Sequence, residues 1–177
     1  MAYSGPVSLP ELDSLVSLGD GALLEVLRAC RRKSSSDPKD KVFGILGVLD
    51  KEVREEFAVD YGKSAKDVYT DVVDVLLATT DRLDVICEAV HFPVYTSSAN
   101  LPTWVPDWSH IPATSAISSS PGTDFAASRD AKANYRFLGE RRHQLEISAI
   151  PLGSTSWHGT TVGTLCTLGD YLMAFLN

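Results

Sequence analysis

The sequence predicts an α+β fold: a predominantly helical layer, a tryptophan-anchored loop and a small antiparallel β-hairpin. Three observations carry this expectation. The first half of the chain reads as helical, with apolar residues at three- and four-residue steps in its main stretches, Trp104 and Trp108 sit in a proline-held stretch, and two short β-type runs flank Gly139-Glu140-Arg141-Arg142-His143. With 177 residues, 44% apolar and 22% charged, the chain is long enough to bury a core and too apolar for wholesale disorder.

The elements follow in order. Leu12, Leu15 and Val16 make a short apolar face, and Leu23, Leu24, Leu27 and Cys30 predict a helix near 22–32. Arg28, Arg31, Arg32 and Lys33 fall where that helix ends, where cations interact favourably with the helix dipole. Ser34-Ser35-Ser36 breaks the pattern. Asp37 then supplies an N-cap and Pro38 a residue suited to the first helical position, so a helix is expected over 38–49.

Ser64 with Asp67 forms an acidic capping box, and Ala65, Val68, Tyr69, Val72, Val73 and Leu76 trace one face of a helix over 65–79. Asp67, Asp71 and Asp74 lie on its other side. No His or Cys stands nearby, so they read as a solvated face and not as a metal site. The β-branched run 83–90 reads as a buried strand or a short helix. Residues 91–123 are rich in Pro, Ser, Thr and Ala, and the two indoles are expected to fasten this loop to the helical layer.

Residues 1–112 thus form a helical region and 113–123 a flexible Ser-rich linker. Residues 124–177 form a hairpin region with an apolar tail, part of the same domain. The hairpin strands are expected over 134–138 and 144–150, with an exposed charged turn.

Composition excludes several functions. The charge of −7 is spread along the chain, which argues against a nucleic-acid groove. Cys30, Cys87 and Cys166 are odd in number and set in apolar surroundings, as expected of buried thiols in a reducing compartment. The N-terminal stretch MAYSGPVSLP does not read as a secretory signal and no segment reads as a bilayer span, so a cytoplasmic location without membrane contact is expected.

Reaction chemistry is equally hard to place. Gly62-Lys63-Ser64 resembles the end of a phosphate loop, but Phe57 stands where the leading glycine belongs, and Ser64 is better read as a helix cap. His91, His110, His143 and His158 are candidate bases without a nucleophile elbow, and Cys87 near His91 reads as a buried thiol beside a loop histidine. Cysteines and histidines never fall at zinc spacing, and no dinucleotide fingerprint of glycines is present. The reading is therefore no catalytic residue, no cofactor and no metal. A small hydrolase or NAD-consuming fragment using His91, His110 or Asp107 is the enzymatic alternative. Asp37-Pro38-Lys39-Asp40-Lys41 reads as capping plus a local ion pair or as an interaction surface, and Trp104 and Trp108 as core anchors or as a stacking platform.

Three ordered segments carry a family likeness: Asp37-Pro38-Lys39-Asp40-Lys41-Val42-Phe43-Gly44-Ile45-Leu46-Gly47, then Val59-Asp60-Tyr61 before Lys63-Ser64 and Val68-Tyr69, then Leu101-Pro102-Thr103-Trp104-Val105-Pro106-Asp107-Trp108-Ser109. Together they resemble the heterokaryon-incompatibility (HET) domain proteins of filamentous fungi, over roughly Leu23 to Ser109. The resemblance implies a role in fungal non-self recognition and programmed cell death. It also implies a protein partner, either the family's own core or another intracellular protein. The motif residues it singles out, as structural or interaction residues, are Asp37, Pro38, Asp40, Lys41, Asp60, Tyr61, Tyr69, Trp104, Pro106, Asp107 and Trp108. The family's TIR-like core is marked by an aromatic-Trp-Gly motif and a Trp-Ile-Asp stretch. Here Trp104, Trp108 and Trp157 are followed by Val, Ser and His, so the chain resembles the region after that core, as the product of a truncated gene. An inert gene remnant is the third reading.

Overall fold

The computed structural model describes residues 22–89, 100–110, 131–140, 142–154 and 156. Helix α1 (Ala22–Cys30) buries Leu23, Leu24, Val26 and Leu27, the face its spacing predicts. It ends in a tight turn in which Arg31 N–H donates to the Arg28 carbonyl and Lys33 N–H to that of Cys30. The chain then enters α2 (Asp40–Phe43).

The helix expected over 38–49 is broken into pieces. After α2 come a 3₁₀ turn (Leu46–Val48) and a separate short helix, α3 (Lys51–Glu55). Gly44 and Gly47 explain the break, since glycine is the costliest ordinary residue to hold in a helix interior. Gly44 also permits a close approach: a Cβ there would lie 2.7 Å from the Asp40 carbonyl oxygen. Asp37 still acts locally, as its carboxylate accepts from the Lys39 N–H at 2.9 Å, but it closes a turn and does not start a long helix.

Helix α4 (Ala65–Thr80) matches its expectation at the N-terminus. Ser64 Oγ accepts from the Asp67 N–H and the Asp67 carboxylate accepts from Ser64, the complete capping box. Val68, Tyr69, Val72, Val73, Leu76 and Leu77 form its buried face. The helix stops at Asp81, whose left-handed conformation (φ 53°) lets its N–H reach the Leu77 carbonyl. The run expected to be a strand or a short helix is a 3₁₀ segment, Asp84–Glu88, that packs on α4 through Val85.

Strands β1 (Tyr135–Leu138) and β2 (Gln144–Ile147) pair antiparallel, with Tyr135 opposite Ile147 and Leu138 opposite Gln144. Gly139 takes φ 81° at the turn, a conformation open to glycine. Tyr135, Phe137 and Leu145 rest on the core, and the Trp104 and Phe137 rings meet with centroids 5.4 Å apart. The Ala133 N–H donates to the Asp81 carbonyl at 2.8 Å, tying the hairpin's approach to the end of α4. One core joins these elements, with Val42, Leu46, Val105 and Trp108 among its buried members.

The cysteines differ from expectation: Cys30 is half-buried and Cys87 is exposed on the 3₁₀ segment, because that segment turns Val85 and Glu88 inward instead. Residues 12–16, the linker 113–123, the tail 162–176, and His91, Trp157, His158 and Cys166 lie outside the described residues.

Candidate interaction site

The three motifs converge on one corner of the molecule. Tyr69, on the buried face of α4, donates its hydroxyl to the Pro38 carbonyl at 2.7 Å and so ties the first motif to the longest helix. Burial raises the Tyr69 hydroxyl well above its ordinary range, and the Asp107 charge pushes the same way. Lys41 reaches back across the serine run to donate to the carbonyls of Arg31 and Lys33, in the turn that follows α1. Burial lowers the Lys41 ammonium.

Asp40 and Tyr61 are paired on the outside. The Tyr61 hydroxyl donates to Asp40 Oδ1 at 2.6 Å, Phe43 meets its ring edge-on at a centroid distance of 5.1 Å, and the Lys39 ammonium lies 5.8 Å from the ring centroid. The hydrogen bond to Asp40 raises the Tyr61 hydroxyl. The ring is nonetheless 55% exposed, and Val59, two residues earlier, is 58% exposed. Asp60 accepts from the Gly62 N–H at 2.8 Å, which shapes the turn leading to the Ser64 cap.

The third motif is held from inside by a residue that the helix-dipole reading left at the surface. Arg31 is 6% exposed; its guanidinium donates to Glu88 at 3.0 Å, to the Asp107 carbonyl at 2.8 Å and to the His110 carbonyl at 2.7 Å. It also lies over Trp108, 5.1 Å from the ring centroid. Burial lowers its affinity for the proton, with Glu88 opposing. Arg28 donates to the same Glu88 at 2.8 Å and pairs with Glu25; burial would lower it, but the two carboxylates outweigh that and raise it. Trp108 is 1% exposed, and its indole N–H has no acceptor among the described residues.

Pro106 and Asp107 are buried in the same loop, with the Asp107 carboxylate accepting from the N–H and hydroxyl of Ser109 at 3.0 and 2.6 Å. Trp104 stands apart from this corner. It faces the hairpin, with its indole N–H 3.5 Å from the His143 carbonyl.

The carboxylates of α4 are not merely solvated. Arg142, from the turn expected to be exposed, donates to Asp71 at 2.5 Å and to Asp74 at 2.7 Å, and Lys63 donates to Asp71 at 2.8 Å. The Asp71 bond raises Lys63. Asp67 remains in the capping box. A cavity of about 360 Å³ beside these groups has Phe43, Phe57 and Val75 in its wall. Among the described residues no group of three or more His, Cys, Asp or Glu is placed to hold a metal ion, and no helix is long and apolar enough to cross a membrane.

This arrangement joins loops to helices and displays one fixed aromatic ring. No family model, no curated protein and no solved structure matches the chain.

Proposed function

We propose that this chain is a non-catalytic structural and interaction region of a HET-type incompatibility protein, acting in the cytoplasm of a fungal cell in non-self recognition and cell death. Its partner is the family's TIR-like core or another intracellular protein. The observation that carries this reading is Tyr61: a tyrosine from the second motif, bonded to Asp40 and flanked by Lys39 and Phe43 of the first, yet more than half exposed. An aromatic ring held in place before binding loses little entropy on contact, and tyrosines are enriched among the residues that dominate protein interfaces.

The test is calorimetric titration of the purified chain into a separately purified HET-type core, with wild type compared with Tyr61→Ala. Saturable binding, weakened about 30-fold in the variant, is the expected result. Turnover of NAD or an ester by the chain alone, abolished by substituting Asp107 or His110, would replace this reading with the enzymatic one.

A further inference from the structure

Between the end of α1 and the first motif lies a hollow of about 290 Å³ whose lining has an unusual composition. Arg31, Arg32, Lys33 and Lys41 contribute four cations, the serine run 34–36 and Ser109 contribute four hydroxyls, and among the described residues no carboxylate lines it. In a chain of net charge −7 this is a local reversal of sign. The acids closest to it in sequence are engaged elsewhere: Asp37 accepts from the backbone N–H and ammonium of Lys39, Asp40 from the Tyr61 hydroxyl, and Asp107 from the N–H and hydroxyl of Ser109.

The helix dipole accounts for only part of this cluster. Of the four cationic side chains, Lys41 bonds carbonyls of the turn that follows α1, and Arg31 turns inward to Glu88. Arg32, Lys33 and the three serines are exposed. The Lys41 ammonium carries three donors, of which those two bonds use two. Burial depresses its proton affinity, with Cys30 opposing and the neighbouring Arg31 charge adding a smaller push downward.

We propose that this hollow is a binding site for a phosphate monoester. Charge-assisted hydrogen bonds from Arg32, Lys33 and Lys41, with serine hydroxyls around them, suit a compact tetrahedral dianion. At about 290 Å³ the hollow has room for such a group. The group comes from one of two sources, a phosphate carried by the chain's own exposed serines or one carried by a separate ligand. The site stands independently of the function proposed above, since none of its observations involves Tyr61.

The experiment is an NMR titration of the isotopically labelled full chain with inorganic phosphate, against sodium chloride at matched ionic strength. Saturable shifts at the amides of Lys33, the three serines and Lys41 are expected. Arg32→Gln with Lys33→Gln, both exposed positions that leave the fold intact, weakens binding by about tenfold or more. Shifts no different from those with chloride, or an affinity untouched by the double substitution, overturn the site. On the chain carrying phosphoserine at position 35, loss of the response to added phosphate supports the site with the chain's own serines as source. Retention supports it with a separate phosphorylated ligand.

Discussion

Arg31 and Glu88 show how much one buried pair decides. Both side chains are 6% exposed, and Arg31 also donates to the carbonyls of Asp107 and His110, so a single guanidinium joins α1, the 3₁₀ segment and the tryptophan loop. Replacing Glu88 by Gln keeps the shape but leaves the Arg31 charge buried without its carboxylate. Breaking such a pair from one side costs about 3–5 kcal/mol. Urea unfolding of Glu88→Gln should show a loss of that size, and a loss below about 1 kcal/mol would mean that the pair is solvated in solution. Half of this pair was legible. Position 31 continues the row of Leu24 and Leu27 at helical spacing, a signal that it faces inward, whereas its three basic neighbours Arg28, Arg32 and Lys33 suggested only a surface cluster at a helix end. Glu88 lies 57 residues away, and no local pattern links the two.

At the scale of elements, what local chemistry determines was legible and what tertiary contact determines was not. Helix α4 could be placed because Ser64, Asp67 and the apolar row from Val68 to Leu76 are all local signals. The hairpin was legible for the same reason, through its two β-type runs and Gly139. The helix expected over 38–49 rested on the start signal at Asp37 and Pro38, and a start signal does not say how far a helix runs; Gly44 and Gly47 break it. In the candidate site, the motif residues were legible as a set, but the pairing of Asp40 with Tyr61 and of Tyr69 with Pro38 came only from the fold. The docking of the hairpin turn on α4 was likewise invisible, because Arg142 and its partners Asp71 and Asp74 are about seventy residues apart. That docking makes a prediction of its own. Arg142→Ala removes two partly exposed ion pairs worth up to about 1 kcal/mol each, so the fold should persist while the hairpin loosens. Hydrogen exchange at the amides of β1 and β2 should accelerate and that in the middle of α4 should not; unchanged protection in the strands would show that Trp104 and Phe137 hold the hairpin unaided.

For the whole molecule, the titrating groups at the joints share one direction at high pH. Tyr69 is raised by burial, Cys30 by burial, Tyr61 by its bond to Asp40 and Lys63 by its bond to Asp71. A group whose folded pKa lies above its unfolded value contributes stability that is complete below the unfolded value and lost as pH rises toward the folded one. The unfolded values here are about 9 for the thiol, about 10 for the tyrosines and about 10.5 for the lysine. Stability should therefore fall from about pH 9 upward, and fall steeply beyond about pH 10, where the unfolded chain releases protons that the folded chain keeps. Lys41, lowered by burial, opposes the trend, but a single half-exposed ammonium does not offset four groups. Tyr69 sits deepest, and its hydroxyl holds the first motif to α4, so it should dominate. Tyr69→Phe deletes the titrating hydroxyl together with its bond to Pro38, at a cost of about 1 kcal/mol near neutrality. Thermal melts across the alkaline range should then show the variant less stable at pH 8 but losing less on going to pH 11, so that the two curves approach each other. Curves that stay parallel would place the alkaline sensitivity in Cys30, Tyr61 and Lys63, and would mean that the tie between Tyr69 and Pro38 is open to solvent.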